Sequence, residues 1–161
     1  MGIEKELLDL LKKKRREKKK KFNRHVSIQD LLSDREETAK FYNFGKGTTC
    51  YNNVLILGDV KVGKNTWIGP NVILDGTGGL EIGDYVSISA GVQIYSHHTV
   101  EWSTSYGKEG IKKKKTLIGN GVYIGPNSII QMGISIGDQA IIGAQSFVNK
   151  NVKKNEKYYS K

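Results

Sequence analysis

Among protein side chains only imidazole has an ordinary pKa near neutrality, so a histidine facing a cleft is the natural general base for drawing a proton from a hydroxyl. The chain holds three histidines. His25 lies beside a run of lysines and arginines and reads as a surface residue. His97 and His98 are adjacent, in "GVQIYSHHTVEWSTSYGKEGIKKKKTLIG", residues 91–119. A base of this kind is usually accompanied by a carboxylate that fixes its tautomer, and Asp75 and Glu101 are the candidates, both placed at the substrate end of the site. Trp102 and Tyr106 supply aromatic faces in the same stretch, and Lys112, Lys113, Lys114 and Lys115 supply cations. The single cysteine, Cys50, leaves no disulfide and gives no partner thiol for a metal, so no metal site is expected and Cys50 reads as a small core hydrophobe.

What positions these residues is a repeat. Aliphatic residues fall on a six-residue grid: Ile56, Val62, Ile68 and Leu74, then Ile82, Ile88 and Ile94, then Ile118, Ile124, Ile130, Ile136, Ile142 and Val148. Two departures break it, a two-residue insertion near Thr77-Gly78-Gly79 and a 24-residue step from Ile94 to Ile118. A period of six fits neither an amphipathic helix nor simple strand alternation. It suits short flat strands that each end in a corner, three to a coil of eighteen residues, the coils stacking to bury one continuous core.

Four places after each aliphatic residue stands a small or β-branched one, such as Val60, Thr66, Val86, Val122 or Ser146, which lets the corner close from inside. On this grid His98 falls in the inward column and His97 points outward, which makes His97 the preferred base. Glycine recurs in the second place (Gly63, Gly69, Gly83, Gly119, Gly125, Gly137 and Gly143), where it is expected to allow backbone conformations that a side chain would penalise. Tyr85, Tyr123 and Phe147 fall at outward positions, leaving aromatic surface to be covered.

Ahead of the repeat, residues 1–50 read as a helical, basic segment. Leu7, Leu8, Leu10 and Leu11 start a helix over about residues 3–22, and Ser27 can cap a second that contains Ile28, Leu31, Leu32, Ala39 and Phe41. Of the net charge of +10, residues 1–25 carry +7, from eleven Lys/Arg against Glu4, Glu6, Asp9 and Glu17. Such an arm is either a solvated extension or, through residues 12–21, a contact for an anionic membrane; nucleic acid is not the expected partner. Neither a membrane span nor a secretory signal is readable, which makes the cytoplasm, at or away from the inner membrane face, the expected location. The organisation expected is a β-domain over 51–153 with an extruded loop at about 97–117, and a basic tail over 154–161.

With the grid laid out, the chain resembles the hexapeptide-repeat acyltransferases, and among them the bacterial sugar and polysaccharide O-acetyltransferases of the maltose/galactoside type. "GVQIYSHHTV" is similar to the coil end that delivers the family's active-site histidine before an extruded loop. "IGNGVYIGPNSIIQMGISIGDQAIIGAQSFVNKNV" is similar to its C-terminal coils. The resemblance implies a mainly β fold, a left-handed parallel β-helix assembled as a homotrimer with active sites between subunits. It also implies acetyl-CoA as co-substrate and a saccharide hydroxyl as acceptor. Trp102 and Tyr106 would then stack on the sugar, and Gly125, Gly143, Ala144 and Lys150 would border the coenzyme A groove. In the maltose/galactoside branch the catalytic histidine corresponds to Thr99, while other polysaccharide acetyltransferase-like chains carry one where His97 stands. Two other functions remain open: N-acetylation of a nucleotide-linked amino sugar or an antibiotic, and a non-catalytic trimeric scaffold.

Overall fold

The computed structural model describes residues 2–160. Helix α1 (Ile3–Phe22) is followed by α2 (Ile28–Leu32) and α3 (Arg35–Phe41). Ser27 caps α2, accepting from the Asp30 amide. Where one short helix was expected from Ser27 there are two. Asp34 accepts from the amides of Glu36 and Glu37 and starts a fresh helix, because an Asx side chain competes for the backbone donors that would have continued the first.

The remainder is a parallel β-helix with three walls. The first wall stacks Thr49–Cys50, Trp67–Ile68, Ser87–Ile88, Tyr123–Ile124, Ile141–Ile142 and Lys157–Tyr158 in parallel. The second holds residues 55–58 and 73–76, then Gln93–Ile94, Ile129–Ile130 and Phe147–Val148. The third holds residues 60–62 and 80–82, then Thr116–Ile118 and Ser135–Ile136, closed by a bridge from Ile136 to Val152. Strand pairing thus begins at Thr49 and ends at Tyr158, two residues before and five after the limits read from the grid.

The register carries the irregularities. Thr49 pairs with Trp67, eighteen residues on, whereas Trp67 pairs with Ser87, twenty on, because of the insertion. Ile88 pairs with Ile124, thirty-six on, so the loop adds eighteen residues to one coil without disturbing the coil above it.

The grid aliphatics make the core: Ile68, Leu74, Ile88, Ile94, Ile124, Ile130 and Ile142 are all essentially inaccessible. Buried hydroxyls in the small-residue column are satisfied by the next coil. Thr48 donates to the Gly63 carbonyl at 2.7 Å, Thr66 to Gly83 at 3.0 Å and Ser128 to Gly143 at 2.8 Å. Tyr85, Tyr123 and Phe147 face outward and Cys50 is buried, as their places on the grid require.

The second-place glycines have a different reason from the expected one. None has a positive φ; the left-handed corner residue is in the fourth place, occupied by Asn65, Asn71, Tyr85, Asn127, Gln139 and Gln145 and by Gly91, Gly121 and Gly133. What second-place glycine supplies is clearance. A Cβ on Gly63 would stand 2.7 Å from the Gly83 carbonyl carbon, and one on Gly125 would stand 2.8 Å from the Ala144 Cα. Backbone of one coil lies there directly on backbone of the next.

Candidate active site

The two breaks in the grid are one place in space. Leu74 pairs with Ile94, so the corner that holds the insertion lies directly under the corner from which the loop departs. The insertion widens the lower corner, and Gly78 donates its amide to the Ser96 hydroxyl at 2.8 Å. Above it the chain leaves the wall. His97–His98 pairs antiparallel with Lys112–Lys113, helix α4 (Val100–Thr104) forms the tip side of the loop, and the Lys114 amide returns to the Ser96 carbonyl at 2.9 Å. Thr116 then re-enters the third wall and donates its hydroxyl to the Tyr95 carbonyl at 2.7 Å.

This departure overturns the inward assignment of His98. Ser96 is the fully buried residue at the corner, while His97 and His98 are both partly exposed, with 25% and 30% of their side chains accessible. The reason is local: at the hairpin the chain leaves the coil wall, so neither side chain is held against the core.

Their partners distinguish the histidines instead. Asp75, completely buried, places Oδ2 2.5 Å from the His97 Nδ1, and the same oxygen accepts from the amides of Ser96 (2.9 Å) and His97 (3.1 Å). Oδ1 accepts from the Thr77 amide at 3.0 Å. Burial raises the Asp75 pKa, but hydrogen bonds from Thr77, from the Ser96 amide and from the His97 ring outweigh it and hold the carboxyl at about 2. A permanent carboxylate against Nδ1 keeps the proton there and leaves Nε2 as the basic nitrogen. At His98 no buried carboxylate fixes the ring, and its Nδ1 meets the Val100 amide at 3.4 Å. Glu101 Oε2 lies 3.2 Å from that Nδ1, lacks hydrogen-bond geometry to it and has no other partner.

Both rings line a cavity of about 570 Å³ along the second wall, together with Glu101 from the loop and Tyr95, Gln131, Met132 and Phe147 from the coils, among others. Tyr95 and Phe147 are its aromatic surfaces. Trp102 and Tyr106, expected to stack on the sugar, do not line this cavity, and Tyr106 is 95% exposed because the loop tip turns outward. The grid did contain the signal for Phe147, which it placed outward on the coil wall beside this corner.

The residues expected along a groove lie elsewhere. Gly125, Gly143 and Ala144 stack at the corner between the first and second walls, the opposite edge of the second wall from His97. Lys150 is at the last coil's other corner, its Nζ 5.8 Å from the Tyr158 ring centre, beside a shallow recess lined by Asn151, Lys153, Lys154, Asn155 and Glu156. Of the loop lysines, Lys112 and Lys113 stand across the hairpin from the histidines, while Lys115 pairs with Glu81 at 2.7 Å.

Comparison with known proteins agrees with this architecture. The family described as "Bacterial transferase hexapeptide (six repeats)" matches residues 115–150, and "Hexapeptide repeat of succinyl-transferase" matches residues 59–96. The bifunctional protein GlmU of Acinetobacter baylyi is 30% identical over an alignment covering 81% of this chain and 36% of GlmU. The chain spans about a third or less of the length of the curated relatives it matches. Among solved structures, a maltose O-acetyltransferase from Clostridium difficile aligns with a TM-score of 0.54 and 25% identity, over 94% of this chain and 84% of that one. A variant of AntD, an N-acyltransferase from Bacillus cereus, in complex with dTDP-4-amino-4,6-dideoxyglucose and coenzyme A, aligns with a TM-score of 0.66 and 20% identity, over 84% and 88%. With the six-residue grid, the stacked parallel coils and these matches together, the chain is a left-handed parallel β-helix built of hexapeptide repeats, similar to the hexapeptide-repeat acyltransferases.

Proposed function

We propose that the protein is an acetyl-CoA-dependent O-acetyltransferase acting on a saccharide hydroxyl, with His97 as general base and Asp75 as the residue that orients it. The observation that carries this reading is the contact between His97 Nδ1 and the buried, ionised Asp75 at the one corner where the coil opens. An acceptor hydroxyl in the cavity donates to His97 Nε2, which takes its proton as the oxygen attacks the thioester carbonyl. Asp75 stabilises the imidazolium that forms. His97 then returns the proton to the departing coenzyme A sulfur, so the transfer is direct and leaves no acyl-enzyme. Tyr95 and Phe147 are placed to pack against the apolar face of a sugar ring.

Acetylation of an amino sugar is the second reading, supported by the similarity to AntD. The dyad favours the hydroxyl: a neutral amine attacks without prior loss of a proton, whereas a hydroxyl needs the base during attack. The walls also leave Leu55, Leu57 and Phe147 exposed on one face, which fits burial against further copies in a homotrimer. The test is release of free thiol from acetyl-CoA over a panel of neutral saccharides, amino sugars and nucleotide-linked sugars, with mass spectrometry of the product. An alkali-labile ester that depends on His97 is the expected result. An alkali-stable amide formed equally well by His97→Ala would move the assignment to the second reading.

A further inference from the structure

Helix α1 has a face that the β-helix borders only at its C-terminal end, where Lys18 and Phe22 line a cavity with Trp67 and Ile68. Leu11 is its only buried residue and turns toward α2, where Leu31 is buried. On the neighbouring stripe Ile3, Leu7, Leu10, Lys14, Lys18 and Lys21 follow one another at spacings of three and four, so they share one side of the helix. The first three are aliphatic and exposed, and the last three are cations. Near neutral pH the charge on residues 1–25 is +7, and the ion pairs along α1 between Lys12 and Asp9 (3.6 Å) and between Lys14 and Glu17 (3.5 Å) are exposed and weak. Beside the C-terminal half of the helix, Arg15, Arg16, Lys19, Arg24 and His25 line a cavity of about 320 Å³ with no carboxylate in its lining.

The geometry points to α1 as a docking element for an anionic lipid surface: Ile3, Leu7 and Leu10 enter the boundary between headgroups and acyl chains, and Lys14, Lys18 and Lys21 lie among the headgroups. Charge complementarity selects the anionic leaflet, and the aliphatic start selects lipid over nucleic acid, which has no apolar layer to receive it. Long lysine stems suit the second half of such a face, since they lie along apolar surface and keep the ammonium in water. No helix among the described residues is long and apolar enough to cross a membrane, so the contact is peripheral and reversible. It concentrates the enzyme where lipid-linked anionic acceptors would be found, and does not depend on the identity of the reaction at His97.

The test is co-sedimentation of the full chain with vesicles of phosphatidylcholine alone or mixed with phosphatidylglycerol, at low and high salt. Binding is expected to the mixed vesicles only, and to fall with salt. The variant Lys14→Gln/Lys18→Gln/Lys21→Gln should partition about a hundredfold more weakly, at about fivefold per lysine. Leu7→Ser/Leu10→Ser should weaken binding while the salt dependence remains. Because Leu7, Leu10 and Lys21 are exposed and Lys14 and Lys18 are only half-buried, both variants should stay close to the melting temperature of the parent. Absence of binding to the mixed vesicles, or binding indifferent to the lysine variant, would overturn the proposal. So would a leucine variant that binds vesicles normally beside a lysine variant that loses affinity for duplex DNA, which would make the arm a nucleic-acid contact.

Discussion

Replacing Asp75 by Asn removes one charge from the buried corner and almost no volume. The carboxylate accepts four hydrogen bonds, three at Oδ2 from the Ser96 amide, the His97 amide and the His97 ring, and one at Oδ1 from the Thr77 amide. An amide has one accepting oxygen and one donating nitrogen, so either orientation turns an NH2 toward at least one N–H donor. One or more buried donors lose their partner, at a cost of roughly 1–3 kcal/mol each. Charge linkage gives a figure of similar size. A carboxyl held near 2 in the folded protein against an ordinary 3.8 contributes roughly 2 kcal/mol of stability at neutral pH. Because the folded pKa is depressed, that stability is present above the ordinary value and is lost as pH falls from about 4 through 2. Asp75→Asn should therefore melt several degrees below the parent at pH 7, and the gap should close as pH approaches 2. For turnover the consequence is larger. An uncharged amide holds the proton at Nδ1 less firmly and does not stabilise the imidazolium, and a positioned base contributes roughly 10²–10⁴-fold. The thiol-release assay should show kcat reduced on that scale with KM for acetyl-CoA little changed. A variant with parental kcat at pH 7 would refute the orienting role, and a melting gap that persists unchanged to pH 2 would refute the electrostatic part.

Other consequences can be checked directly. A methyl on Gly78 would run into the Ser96 carbonyl and lie 2.8 Å from the Lys114 nitrogen, so Gly78→Ala should displace the root of the loop and cost far more activity than stability, measured by turnover beside thermal melting. Ile124→Ala removes a fully buried grid residue and should destabilise the fold by roughly 2–5 kcal/mol in denaturant titrations, with the dyad geometry intact. Trp102→Ala and Tyr106→Ala, whose rings lie outside the cavity, should change KM for a saccharide less than Phe147→Ala does.

The repeat was legible because a period of six leaves few physical solutions, and each grid aliphatic from Ile68 to Val148 is a core residue. What the linear pattern hides is vertical distance. The insertion at Thr77-Gly78-Gly79 and the loop after Ser96 look like two separate irregularities about twenty residues apart. Stacking places one on the other, and only then does Asp75 meet His97. The grid also failed where it was interrupted. His98 kept its column on paper, but at the hairpin with Lys112–Lys113 the chain leaves the coil wall. Nothing in the spacing of the loop aromatics shows that Trp102, on α4, and Tyr106, just after it, lie outside the cavity beside His97. Second-place glycines were legible as necessary, though their necessity comes from coil-on-coil contact and the left-handed corners fall two residues later.

The assignment of the base to His97 rests on the fully buried carboxylate that holds its Nδ1, whereas the carboxylate beside His98 is 40% exposed. The most direct measurement is kcat for acetyl transfer by His97→Ala and His98→Ala, each compared with the parent across the pH range in which imidazole titrates. His97→Ala should lose at least a hundredfold, together with the activity limb that reports a neutral imidazole, while His98→Ala should stay within about tenfold and keep that limb. Loss of the limb in His98→Ala, with His97→Ala near parental turnover, would contradict it.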